Sequence, residues 1–281
     1  MSNPVVHPQS LLNTPINRRE FIRRAAATAG ALEAAAVAIS AQAQQDPLES
    51  VALAYRSTDE KMTMGYLSRP RGDGAVPGVV IVHDAVGLDD RTRDIARRIA
   101  TEQYMVVAPD FLSRAGGTAH FRGNDADVAK ALGTVTRDNI VADSGGAIAY
   151  FKSTKRLRDN RIATIGFGWG AEGALSAAAT HPDVRACVLF YAVPRIDAKM
   201  LAKLRAPVLA IVAGEDAAAK QAIPAFEEAL KKTGRQFQIQ VYPDVRAGFD
   251  DASAKDRYNA EAAKDAWAKM LAHLGTSLKA G

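Results

Sequence analysis

The segment IATIGFGWGA, residues 162–171, decides the fold of this chain. An apolar β-like run (162–165) enters a glycine-rich turn and leaves it as an alanine-rich helical pattern. This strand–turn–helix pattern is typical of the sharp turn that raises a nucleophilic side chain above a parallel sheet. Glycines flank such a turn because the strand and the helix pass close together. The central position, however, is Gly168. The pattern therefore predicts a scaffold for covalent catalysis that has no nucleophile.

Short apolar runs alternate with helical patterns along the rest of the chain. We predict strands at 51–55, 63–67, 79–82, 105–108, 162–165, 186–191, 208–212 and 237–242. We predict helices at 92–102, 127–155 in one or two pieces, 172–180, 223–232 and 253–274. Several strands are rich in Val, Ile and Leu without alternation, as strands buried on both faces must be. The sequence therefore predicts an α/β fold, with a doubly wound, mostly parallel sheet and helices on both faces.

The first 43 residues are predicted to be an export signal, leaving 44–281 as a single domain. Arg18 and Arg19 precede a long alanine-rich stretch that ends in an A-x-A cleavage site at 41–43. This arrangement is typical of a twin-arginine signal and is too weakly apolar for a membrane span. We expect a periplasmic mature protein that uses the twin-arginine export machinery and does not insert into the membrane. An amphipathic N-terminal helix is the alternative interpretation.

The composition excludes several classes of function. The net charge is +5, or +3 after loss of the predicted signal, and the basic residues are scattered among acidic ones. We therefore expect no nucleic-acid partner. The single cysteine, Cys187, excludes an intramolecular disulfide and any multi-cysteine metal site, and its apolar neighbours predict a small buried side chain. We expect no metal and no cofactor.

The order of the later motifs suggests a hydrolase with missing parts. The run VLAIVAGED ends a predicted strand with Asp216, where a hydrolase triad places its acid. The run VYPDVRAGF ends the last strand where the triad histidine belongs, but it contains no histidine. None occurs anywhere between His181 and His273.

These motifs resemble those of the dienelactone hydrolases, and more closely the exported twin-arginine branch of that family, over roughly residues 60–275. The matching runs are VVIVHDAVGL (79–88), VVAPD (106–110), GFGWG (166–170), AGED (213–216), and the YP and GF pairs at 242–243 and 248–249. The resemblance implies an α/β-hydrolase fold and hydrolysis of lactones or esters. It also implies a Cys–Asp–His triad, whose positions are occupied here by Gly168, Asp216 and Ala247.

The resemblance implies four further site residues. The backbone amides of Ala85 and Trp169 match the donors of the oxyanion hole, and these amides survive any side-chain substitution. Asp84 matches a glutamate beside the nucleophile, one methylene shorter. Arg114 matches an arginine that contacts the substrate carboxylate. His83 matches a buried structural position.

Three hypotheses remain open. The first is a ligand-binding pseudo-hydrolase that takes a small lactone, ester or carboxylate. The second is an active hydrolase with water activated by Asp84 or with an unassigned nucleophile, for which Ser113, Ser144, Ser176 and Cys187 are the candidates. The third is a periplasmic interaction protein with a vestigial pocket.

Overall fold

An eight-stranded sheet forms the centre of the structure, a computed structural model that describes residues 46–121 and 124–279. The predicted export signal (1–43) lies outside the described residues. The strands are β1 (Leu48–Arg56), β2 (Met62–Pro70), β3 (Val76–Val82), β4 (Met105–Pro109), β5 (Leu157–Phe167), β6 (Val184–Tyr191), β7 (Val208–Ala213) and β8 (Phe237–Tyr242). Their order in the sheet is β1-β2-β4-β3-β5-β6-β7-β8. The β1–β2 and β2–β4 pairs are antiparallel, and all the other pairs are parallel.

Helices connect the parallel strands. The α-helices are α1 (Asp90–Thr101), α2 (Asp125–Leu132), α3 (Arg137–Ser153), α4 (Gly170–Thr180), α5 (Ala198–Leu201), α6 (Ala217–Lys232) and α7 (Ala260–Leu278). Two short 3₁₀ turns follow β4, at Ser113–Ala115 and Thr118–Phe121.

Both faces of the sheet are buried, and this explains the continuous apolar strands. On β3, Val79 and Ile81 point into a core that includes side chains of α1 and α7. Val80 and Val82 point into a second core that includes side chains of α3, α4, α5 and α6. A strand with apolar neighbours on both sides has no polar face to alternate with. The predicted mostly parallel sheet with helices on both faces is confirmed.

Helix α6 begins earlier than predicted, at Ala217 rather than at residue 223. Its N-cap is Asp216, whose side chain accepts a hydrogen bond from the backbone N–H of Ala219 at 3.0 Å. Pro224 lies inside the helix, although proline is more often found at the first turn of a helix. The predicted start just before this proline was therefore wrong.

The start of one other helix also differs from the prediction. Helix α7 begins at Ala260 rather than at residue 253, because Asn259 caps it by accepting from the backbone N–H of Ala262. The region 127–155, predicted to be helical in one or two pieces, forms two helices, α2 and α3, separated by a turn at Gly133. Helix α5, a single turn, was not predicted.

The described residues were also compared with the requirements of a membrane span and of a metal site. No helix among them is long and apolar enough to cross a membrane. In the same part of the chain, no three His, Cys, Asp or Glu side chains are grouped so that they could hold a metal ion. Cys187 lies fully buried on β6, as its apolar neighbours predict.

Helix α1 is capped at its N-terminus by Asp89. Asp89 Oδ1 accepts hydrogen bonds from both the backbone N–H and the hydroxyl of Thr92, at 2.8 and 2.7 Å. We expect Asp89→Ala to lower the free energy of unfolding by about 1 kcal/mol, measured by urea denaturation. Asp90→Ala is the control, because that side chain is 98% exposed and pairs only with Arg93. Equal losses in both variants would show that the cap contributes nothing specific.

Candidate functional site

The turn between β5 and α4 has the sharp geometry that the sequence predicts. β5 ends at Phe167, α4 begins at Gly170, and Gly168 between them has a φ of 47°. Residues with a side chain rarely adopt this left-handed conformation. A Cβ on Gly170 would lie 2.3 Å from the carbonyl oxygen of Val82. The turn is therefore packed directly against the end of β3.

The carboxylate of Asp84 lies at this meeting point of β3 and α4. Its Oδ1 accepts a hydrogen bond from the backbone N–H of Ala85 at 2.7 Å and another from that of Trp169 at 3.0 Å. These are the two amides that the resemblance assigns to an oxyanion hole. The structure brings the three residues together and places the protein's own carboxylate oxygen between the two donors.

Asp84 also occupies the space that a side chain at position 168 would need. A Cβ built on Gly168 would lie 2.2 Å from Asp84 Oδ1 and 2.7 Å from Oδ2. Real Cβ atoms do not approach other heavy atoms that closely. The inward position of the Asp84 carboxylate is therefore compatible only with a glycine at position 168.

The two oxygens of Asp84 have different surroundings. Oδ1 receives both amide hydrogen bonds and lies beside Trp169, the N-cap residue of α4. A negative charge at a helix N-terminus is stabilised by the unpaired N–H groups and by the helix dipole. Among the described residues, Oδ2 has no hydrogen-bond partner, and it is not one of the buried polar atoms sealed from solvent. Oδ2 is the free end of the carboxylate.

His83 is a buried structural residue that packs against the site. It is fully buried, and its ring is stacked on that of Trp169 with centroids 5.7 Å apart. Its Nε2 accepts from the backbone N–H of Phe111 at 3.2 Å, so Nδ1 carries the proton and donates to the carbonyl of Asp84 at 2.9 Å. Burial lowers the pKa of this imidazole. Both nitrogens are engaged, and His83 has none left to act as a base.

The other two triad positions lie in loops at the same edge of the sheet. Asp216 follows β7 and is half-buried, and its side chain caps α6. Ala247 follows β8 and is exposed. A methyl group can neither donate nor accept a proton. The acid therefore has a structural hydrogen bond of its own, and the position that matches the base offers no proton-transfer group.

Arg114 is engaged elsewhere than the resemblance implies. Its guanidinium donates to Asp59 at 2.8 and 3.0 Å and to Asp143 at 2.7 Å. The Asp143 side chain is completely buried. The pKa of Asp59 is held at about 2, first by its hydrogen bond from Arg114. The described contacts of Arg114 thus balance two carboxylates of the protein itself, and none of them leads to Asp84.

Sequence reasoning missed a charged cluster that holds the loop after β8. Arg91 of α1 donates to the Tyr191 hydroxyl at 2.9 Å and to Asp250 at 2.6 Å, and it lies 3.4 Å from Asp251. The Tyr191 hydroxyl also donates to Asp250. Tyr191 has a φ of 73°, which is unusual for a bulky residue. The acidic pair that directly follows the GF motif was the sequence feature that could have indicated this cluster.

None of the four alternative nucleophiles lies in the setting that a nucleophile needs. Ser113 hydrogen-bonds to the backbone of Met64 in a 3₁₀ turn, and Ser176 donates to the carbonyl of Glu172 inside α4. Ser144 is fully buried in α3. Burial raises the pKa of the Cys187 thiol to about 12. None of these four side chains belongs to the turn at Gly168.

A cleft of about 340 Å³ lies beside the loop that follows β3. It is lined by apolar and polar side chains, including those of Val86, Leu88, Asp89, Thr118 and Val128. Val86 is two residues beyond Asp84 in the chain and is 46% exposed. The loop that carries the Asp84 carboxylate therefore also borders a cavity large enough for a small molecule.

The sequence matches a family model for the dienelactone hydrolase family over residues 63–278. This match covers most of the chain and includes β2 to α7. The chain belongs to the dienelactone hydrolase family. Its eight-stranded sheet is that of the α/β-hydrolase fold, as solved structures of dienelactone hydrolases also show.

Individual relatives agree with this assignment. The chain is 30% identical over 217 residues to a protein of Salmonella typhi named "Putative carboxymethylenebutenolidase", and the match covers 73% of this chain and 80% of that protein. It is 27% identical over 273 residues to a protein of the same name from Methylorubrum extorquens, covering 92% of each. A crystal structure of a "Putative Dienelactone Hydrolase" from Klebsiella pneumoniae superimposes with a TM-score of 0.70 at 26% identity, covering 81% of this chain and 99% of that one.

A double-mutant cycle tests the contact between positions 84 and 168. We expect Gly168→Ala to destabilise the protein, because the new Cβ is strained at this φ and expels the carboxylate from its two amides. In the Asp84→Ala background only the backbone strain remains, so the same substitution should cost less. We expect a coupling free energy of about 1 kcal/mol from urea denaturation of the four proteins. Additive effects would mean that the two residues do not share this space.

Proposed function

We propose that this member of the dienelactone hydrolase family is a periplasmic pseudo-hydrolase that binds a small molecule and does not perform thiolate hydrolysis. One observation carries the proposal. The Asp84 carboxylate accepts hydrogen bonds from the two amides to which the resemblance assigns a substrate oxygen. It also fills the space of a side chain at position 168, where the resemblance implies a nucleophile.

The chemistry of the missing groups supports impaired catalysis. A thiolate nucleophile needs a sulfur atom and a base within hydrogen-bond reach. Gly168 and Ala247 supply neither. Removing members of a triad in other hydrolases costs on the order of 10⁶-fold in kcat. What is left of the family's machinery is a scaffold and a pair of amide donors.

The charges around the site favour an uncharged ligand. A carboxylate ligand would have to approach the carboxylate of Asp84, and like charges repel strongly near a low-dielectric protein interior. Arg114 cannot compensate, because Asp59 and Asp143 already balance its charge. Of the three ligand classes that the resemblance implies, we therefore propose a neutral lactone or ester and disfavour a free carboxylate.

Turnover assays test this proposal directly. We expect the purified mature protein to hydrolyse p-nitrophenyl acetate and dienelactone no faster than its Asp216→Asn variant, because Asp216 has no histidine to orient. Binding without turnover should appear as a rise in melting temperature with δ-valerolactone and none with valerate. A clear loss of hydrolysis in Asp216→Asn would reveal a working catalytic network. No shift with any lactone would favour the hypothesis of a vestigial pocket.

A second candidate is a hydrolase in which Asp84 activates a water molecule. The unpaired Oδ2 of Asp84, which is not fully buried, favours it, since a carboxylate oxygen without a partner can accept a proton from water. Ester hydrolysis that is abolished by Asp84→Asn and unchanged by Asp216→Asn would support this candidate over the pseudo-hydrolase.

Export by the twin-arginine route is the remaining part of the proposal, and it rests on the sequence of residues 1–43. We expect the mature chain to start near Gln44 and to appear in the periplasmic fraction. Replacing Arg18 and Arg19 together with Lys should leave the precursor in the cytoplasm, as seen by immunoblotting of cell fractions. Normal export of this double variant would contradict the twin-arginine assignment.

A further inference from the structure

The two oxygens of the Asp84 carboxylate have different surroundings, and this difference affects what the group can do chemically. Oδ1 is held by the amides of Ala85 and Trp169, while Oδ2 has no hydrogen-bond partner among the described residues and is not fully buried. Both oxygens lie within 2.7 Å of the position that a Cβ at residue 168 would occupy. A reactive oxygen is thus present where the fold would otherwise place the nucleophile of the turn.

Carboxylates are established nucleophiles in enzymes that form covalent intermediates. Such a carboxylate is oriented when one of its oxygens is fixed and the other is left free. The carboxylate lies beside the N-terminus of α4, whose N–H groups and dipole stabilise negative charge. Those two amides have a second effect, because they also stabilise any charge that develops on Oδ1 later in a reaction.

We propose that Asp84 is a carboxylate nucleophile that replaces the side chain missing at position 168 and forms an ester with small uncharged epoxides or alkyl halides. This activity lies beyond ligand binding and does not depend on hydrolysis of lactones or esters. The shared chemistry of the two substrate classes is an electrophilic saturated carbon that bears a leaving group.

The bond changes of the proposed step are simple. A lone pair of Oδ2 forms a bond to the saturated carbon, and the bond from that carbon to its leaving group breaks. With an alkyl halide, the electron pair departs on the halide ion. With an epoxide, the ring oxygen departs as an alkoxide and takes a proton from water. The product is an alkyl ester whose carbonyl oxygen is Oδ1, still held by both amides.

Release of this ester would require water to attack Cγ of Asp84. The negative charge of the tetrahedral intermediate would then fall on Oδ1, between the N–H groups of Ala85 and Trp169. The attacking water needs a base, and Ala247 offers none at the position of the family's histidine. We therefore expect the ester to persist, so that each protein molecule reacts once.

Other reactive groups of the described chain provide internal controls. The Cys187 thiol is fully buried, and burial raises its pKa to about 12. Asp90 is a highly exposed carboxylate, 98% accessible, which pairs with Arg93 and has no amide donor pair. Asp143 is a carboxylate sealed from solvent. A reaction that depends only on exposure would label Asp90, whereas one that depends on the amide pair would label Asp84.

The experiment incubates the full mature protein separately with 1,2-epoxy-3-(4-nitrophenoxy)propane and with benzyl bromide. Intact mass and peptide mapping then locate the adduct. We expect about one equivalent on Asp84, from one or both reagents. Asp84→Asn is the matched variant, because its amide oxygen can still accept from both backbone N–H groups. We expect its labelling to be slower by at least about tenfold, since the amide nitrogen is not a nucleophile. Asp90→Asn should label like the wild type.

Several results would overturn the proposal. Labelling spread over Asp90 and other exposed carboxylates, or labelling of Asp84→Asn at the wild-type rate, would show simple surface reactivity. Absence of an adduct on Asp84 with both reagents would also overturn it. If Asp84→Asn fails to fold, the peptide map of the wild-type protein decides by itself. The turnover of p-nitrophenyl acetate is measured independently, so failure of the pseudo-hydrolase proposal would not be mistaken for failure of this one.

Discussion

Two backbone N–H groups, those of Ala85 and Trp169, meet at one point, and each needs an acceptor. An amide that points into a partly buried site without an acceptor is costly, and an acceptor from the protein removes that cost. Here Asp84 Oδ1 provides the acceptor for both. The carboxylate can reach this position only because Gly168 has no side chain to exclude it. The absence of a side chain at position 168 and the occupation of both amides by Asp84 are therefore consequences of one geometric constraint.

The fold was predictable because burial leaves a clear pattern in the strands. Residues of β3 face apolar cores on both sides, and such strands appear in the sequence as uninterrupted apolar runs. Helix boundaries were less predictable, because they depend on single capping residues and because a helix can contain a residue, such as proline, that usually marks its start. The sequence predicts a residual triad acid at Asp216, and in the structure this side chain caps α6, while Pro224 lies within that helix. A strand is specified by many residues, whereas a helix start depends on one or two.

The candidate site was predictable only in part. Asp84 and Gly168 could be brought together, because the carboxyl ends of neighbouring parallel strands share one edge of the sheet. The direction of the Asp84 side chain could not be predicted, because it depends on which amides lack another acceptor. The pairing of Arg114 with Asp59 and Asp143 was also hidden, since these residues are far apart in sequence. The charge of an arginine at the position of a substrate-binding residue can be balanced by carboxylates of the protein itself, and only the folded chain shows this.

The loop after β8 gives a reason to prefer a site in use over a vestigial one. Arg91, Tyr191 and Asp250 hold this loop, which carries Ala247, against α1 and the end of β6. Tyr191 adopts a left-handed backbone conformation there. Such strain in a bulky residue costs about 1–3 kcal/mol and persists only where the surrounding structure enforces it. Gly168 at the turn avoids the same cost, so the chain has relaxed the backbone where the nucleophile is absent and kept it strained where the loop is positioned. That difference is consistent with the proposed ligand-binding role, which depends on the shape of the site.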